Sequence, residues 1–159
     1  MKHGRRMVSG ALAALALALG GGAAAAGAIR VDSPWIRTPP NGAPTVAAYA
    51  LISNSARQAD RLLGASTSVA GSVTPHTMSM TGGVMRMRQA PDGLAVAARG
   101  ALALAPDGDH LMITGLKRPL HRGDHVAMTL NFAHAGKVAA SFEVRDDAPV
   151  QRGLGRAPM

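Results

Sequence analysis

The stretch HTMSMTGGVMRMR, residues 76 to 88, holds four of the chain's nine methionines and opens on a histidine. A second group of the same kind, His110-Leu111-Met112, follows downstream. These side chains share one chemistry. Thioether sulfur is soft and suits Cu(I), while imidazole nitrogen suits copper in either oxidation state. Two His and two Met would hold Cu(I) without any thiolate, and Cu(II) more weakly. Such neutral donors hold an ion less tenaciously than thiolates do, which suits transfer rather than storage. Sulfur has no proton to lose, so acid would act on the site through its imidazoles. The competing role is structural, because Met also fills irregular gaps in cores.

Strand alternation sorts these residues. Across Val84 to Arg88 it puts Met85 and Met87 on one face and Arg86 and Arg88 on the other. Across His110 to Ile113 it puts His110 and Met112 together, with Leu111 and Ile113 opposite. His76 follows Pro75 and opens what reads as a Met-rich loop. The candidate donors are therefore His76, His110 and Met112, with a further sulfur from Met87 or Met85. Period two does not separate those two. Met78 and Met80 compete locally as ligands, core residues or exposed shuttles for the ion.

The elements that must position these residues read as an all-β fold. Thr45 to Ile52, Leu62-Leu63, Ser68 to Val73, Val84 to Arg88, Leu94 to Ala98, Ala101 to Ala105, His110 to Thr114, Val126 to Phe132 and Val138 to Val144 form short extended pieces. Turn residues such as Gly82-Gly83, Asp92-Gly93 and Pro106-Asp107-Gly108 separate them. In the last hairpin Val126, Met128, Leu130 and Phe132 share one face, as do Val138, Ala140, Phe142 and Val144. Strands at intervals of about 8 to 12 residues point to a β-sandwich or barrel. No amphipathic helix stands out after the leader.

That leader is residues 1–28. Lys2, Arg5 and Arg6 form a positive region, Ala11 to Leu19 an apolar one, and Ala26-Gly27-Ala28 a cleavage site before Ile29. The expected product is one secreted domain, residues 29–147, with a disordered tail over 148–159. It has no segment able to span a membrane and is expected to be a monomer. It carries 14 basic and 9 acidic residues, a net charge of +5. With one Trp, one Tyr and two Phe, and no Lys/Arg-rich block, it does not read as a nucleic-acid binder. Lys117, Arg118 and Arg122 could form a basic docking face. The absence of Cys excludes blue-copper centres, zinc ribbons and thiol redox pairs. His121, His125 and His134 fall in turns or strand ends and read as solvent-exposed.

The run HTMSMTGGVMRMR, followed by DGDHLMITGLKRPLHRGDHVAMTLNF, resembles the periplasmic copper chaperone family PCu(A)C. That family's pattern is a His, ten residues, a Met, about twenty-one residues, then His-x-Met. Here ten residues separate His76 from Met87, and twenty-two separate Met87 from His110. The turn at Pro91-Asp92-Gly93 or at Pro106-Asp107-Gly108 could absorb the extra one. Trp35 to Pro40, Ala48-Tyr49 and Gly115 to Asp124 are also similar to the family. The resemblance implies a cupredoxin-like β-sandwich in the periplasm. It implies one Cu(I) bound by His76, Met87, His110 and Met112, and delivery to cytochrome c oxidase at its CuA centre. It describes a carrier, not an enzyme. Three other readings stand beside it: a general copper-tolerance carrier, an electron-transfer protein, and a β-sandwich interaction or assembly module that ignores metal. The second lacks its thiolate. In the third, the methionines would be core.

Overall fold

The computed structural model describes residues 26–149. The expected leader, up to residue 25, and the expected tail from 150 onward lie outside the described residues. After a 3-10 turn at Ala26–Ala28 come ten strands: β1 Ile29–Arg37, β2 Thr45–Asn54, β3 Asp60–Ser66, β4 Ala70–Thr81, β5 Val84–Gln89, β6 Leu94–Val96, β7 Ala101–Leu104, β8 His110–Leu116, β9 His125–Phe132 and β10 Gly136–Arg145. The fold is all-β, as the alternation and turn spacing predict. No helix among the described residues is long and apolar enough to cross a membrane.

The strands hydrogen-bond in the order β5-β4-β8-β2-β1-β10-β9-β3-β6. A bridge between Ala65 of β3 and Val73 of β4 brings the sheet back on itself. Seven strands from β4 to β3 therefore form a closed, barrel-like sandwich, with closure removing most free edges. The β1–β10 pair is parallel, and the other pairings are antiparallel. Along β2, β8 pairs with Thr45 to Ala48 and β7 takes over from Ala50 to Ser53. The chain between β7 and β8 leaves the sheet at that handover and re-enters at His110.

Alternation builds the core. Val126, Met128, Leu130 and Phe132 of β9 point inward, and Phe142 and Val144 of β10 meet them there. Ile36, Ile52, Leu62, Leu111 and Ile113 fill the rest. One turn depends on glycine: Gly93 has φ +81, and a Cβ there would stand 2.5 Å from the Leu62 carbonyl oxygen.

Two strands depart from the sequence reading. β1 has no clean period-two pattern, because a register shift between Asp32 and Trp35 breaks its alternation and Ser33 takes a positive φ. The Met-rich stretch is not a loop. β4 continues through it to Thr81 and pairs with β5 as a hairpin arm. Pro75 is accommodated because its carbonyl faces the β5 side, where it accepts the Ala90 N–H at 2.9 Å just past the end of β5. Its missing donor thus falls at the margin of that ladder.

Asp60 anchors the start of β3. Its buried carboxylate accepts N–H groups from Arg61 at 2.7 Å and His134 at 2.9 Å on one oxygen, and from Ala135 at 2.8 Å on the other. Burial alone would raise its pKa, but these donors and the nearby His134 hold it below the ordinary carboxylate value. A lowered folded pKa stabilises the fold above the unfolded carboxylate range, and that stabilisation is lost as pH falls through the folded value. Asp60→Asn is expected to cost about 2 kcal/mol at neutral pH. Urea unfolding of both proteins should show the gap closing in acid. A gap that persists undiminished there would mean the charge is not what matters.

Candidate metal centre

β4 and β8 are neighbours, and their register sets His76 directly opposite His110. The two rings lie nearly parallel, 13° apart, with centroids at 5.7 Å. On the far side of β4, the β4–β5 register pairs Met78 with Met87 and Met80 with Met85. One face of this three-strand patch therefore carries every candidate donor.

Each imidazole is oriented by the backbone two residues before it. His110 Nδ1–H donates to the Gly108 carbonyl at 2.9 Å, and His76 Nδ1–H donates to the Thr74 carbonyl at 3.2 Å. A carbonyl can only accept, so Nδ1 carries the proton in each neutral ring and Nε2 keeps its lone pair. This is the arrangement by which a second shell fixes the tautomer of a metal-ligating His. His110 Nε2 stands 3.2 Å from Met87 Sδ. With the proton on Nδ1, two lone-pair donors face each other at that distance. Two ligands of one ion, each at roughly 2.0–2.3 Å, can have such a separation.

The surroundings hold His110 in place. It is buried, with Tyr49 at 6.4 Å between ring centroids and Trp35 packed on Tyr49 at 4.7 Å. Burial pushes the Tyr49 phenol up from its usual pKa, against the influence of Arg37, so it stays neutral at physiological pH. Thr77 Oγ1–H donates to Asp109 at 2.7 Å, tying the root of the arm to the segment that leads into His110. Met87 itself is about half exposed, at 51%. His110 is thus packed against the barrel, while Met87 faces solvent.

The four proposed ligands are not equally documented by contact. His110 stacks on His76 and meets Met87. Met112 lies two residues along β8 on the same face as His110, half-buried, opposite Thr74 of β4 and Ala47 of β2. Met85 shares Met87's face but sits one pair farther out, opposite Met80. Of the two sulfurs that period two leaves equivalent, Met87 is the one that lies beside His110. The Gly108 and Thr74 carbonyls and the Tyr49 wall were not legible as site parts, since a carbonyl has no sequence signature. Trp35 is buried and packs on Tyr49 beside the site. His121, His125 and His134 are exposed. The supposed basic face is partly neutralised: Arg118 pairs with Asp124 at 3.4 Å and Arg122 with Asp146 at 3.2 Å.

Comparison with known proteins places the family and the fold. Residues 29–144 match the family model described as "Putative lipoprotein LpqE-like". A curated relative, "Putative lipoprotein Lxx21020" of Leifsonia xyli subsp. xyli (strain CTCB07), is 30% identical over 118 residues, 74% of this chain and 70% of its own length. Among solved structures, the copper-bound PCuAC domain from PmoF2 superposes with a TM-score of 0.64 at 28% identity, covering 77% of this chain and 94% of that one. The solution structure of CuI-DR1885 from Deinococcus radiodurans gives 0.62 at 34% identity, covering 78% and 84%. The chain belongs to the LpqE-like family and shares its fold with the PCuAC domains.

Proposed function

We propose that this protein is a copper carrier of the cell envelope. It binds one Cu(I) through His76, Met87, His110 and Met112 and releases it by ligand exchange to a copper-receiving protein. The observation that carries this is the pairing of His110 Nε2 with Met87 Sδ at 3.2 Å, with the other ring nitrogen committed to a carbonyl. The copper named in the PmoF2 and DR1885 structures supports the choice of ion. The donor set is neutral and soft, which favours Cu(I) over harder ions. Exposure of Met87 lets an incoming ligand approach before the inner donors let go. The acceptor fitting this chemistry is an oxidase subunit with a CuA-type centre, or another copper carrier. The leader-like N-terminal residues and the lipoprotein relatives support a periplasmic or envelope location.

The test is a Cu(I) competition titration of the protein against a chromophoric chelator, with X-ray absorption on the loaded form. The expected result is one tight equivalent with mixed nitrogen and sulfur scattering. Failure to compete, or scattering from nitrogen and oxygen alone, would leave a β-sandwich module with no metal cargo.

A further inference from the structure

The arm carries more sulfur than one site needs. Thr81 and Val84 flank a two-residue turn, Gly82-Gly83, whose φ angles of 59 and 78° are both positive, as a type I′ hairpin requires. Ala90 N–H bonds the Pro75 carbonyl, which marks that pair as a hydrogen-bonded position of the β4–β5 ladder. Hydrogen-bonded and non-hydrogen-bonded pairs alternate along an antiparallel ladder. His76/Gln89, Met78/Met87 and Met80/Met85 therefore all occupy non-hydrogen-bonded positions, where opposed side chains approach most closely. Successive pairs are about 6.8 Å apart along the strands. The result is a ladder of thioethers that starts at His76 and runs out to the tip.

The outer rungs have no core to fill. Met80 is 65% exposed and Met85 46% exposed, and every residue of β5 is exposed. Four thioethers on one face of a solvated hairpin gain little from burial, and packing between cross-strand pairs does not call for sulfur in particular. Sulfur does explain the choice of residue if the ligand is soft.

We infer that Met80 and Met85, with Met78 reaching diagonally, form a second subsite that takes a soft monovalent ion at the tip of the arm. It is one rung outside Met87 and separate from the histidines. The inference borrows only the choice of ion from the reading of the inner site.

The probe is Ag(I), a soft monovalent ion that does not oxidise in air. It is titrated into the full chain carrying 13C-labelled methionine methyls. The Met87 and Met112 methyls are expected to shift with the first equivalent, and those of Met80 and Met85 with a second. Met80→Leu with Met85→Leu keeps the apolar volume of the rungs and should abolish the second equivalent, leaving the first within about threefold of its affinity. Met80 and Met85 methyls that stay fixed past two equivalents would overturn the subsite, as would a second equivalent that survives in the double variant. If they move while Met87 and Met112 do not, the subsite stands and the inner carrier site falls.

Discussion

Replacing His110 with Ala and Met112 with Leu in one protein is expected to lower Cu(I) affinity by more than about 1000-fold. Loss of a partner that merely orients a ligand typically costs roughly 10–100-fold in metal affinity. Here two donors themselves are removed, and His110 is also the ring that faces Met87. The fold should survive. Met112 is only half-buried and Leu matches its volume. Removing the His110 ring also removes a polar group from beside Tyr49, so no charge is left stranded. Competition titration measures the affinity, and circular dichroism and thermal unfolding of the metal-free protein confirm folding. Affinity retained within tenfold in a folded variant would place the copper elsewhere.

Phe142→Ala should act on the other property. Phe142 is fully buried on β10, paired in register with Val126 of β9, and is among the largest enclosed side chains. Truncation removes a whole ring from a packed interior, and such changes cost about 3–5 kcal/mol because the cavity collapses only partly. Total stability for a domain of this size is roughly 5–15 kcal/mol, so the variant sits near the margin. Phe142→Leu should cost distinctly less. Denaturant midpoints measure both. Copper affinity of the fraction that remains folded should be close to that of the parent, since β10 pairs with β1 and β9 and not with β4, β5 or β8. A small loss of stability in Phe142→Ala would show that β9 and β10 do not form part of a closed core.

These residues also show what the sequence discloses. The face that Phe142 shares with Val138, Ala140 and Val144 turns inward, because β9 and β10 are strands with one wet and one dry face and period two then encodes burial directly. β1 has no such pattern: its register shift at Asp32 to Trp35 moves the dry face midway. The end of β4 fails for a different reason. Thr77, Ser79 and Thr81 alternate with Met78 and Met80, a regular strand pattern, but neither face is fully buried, so no hydrophobic contrast marks it as strand rather than loop. Among the donors, alternation linked His110 with Met112. It could not choose between Met85 and Met87, which have the same parity. Which of them lies beside His110 depends on cross-strand register, and so on where the Gly82-Gly83 turn closes the hairpin.

β4 belongs to two structures at once. Its first half is bonded to β8 and meets β3 at the barrel seam, and beyond His76 its backbone ladder is to β5 alone, with the Thr77–Asp109 hydrogen bond at its root. Local opening of a protein follows such divisions: segments with few buried apolar contacts and exposed backbone bonds open at far lower free energy than the whole. Fraying from the hairpin tip inward would carry Met85 and then Met87 away from His110 while the seam stays shut. The face that gathers the donors therefore spans a boundary between a slow-exchanging body and a fast-exchanging flap. Parting His110 from Met87 requires breaking a few ladder bonds of β5, and none in the barrel.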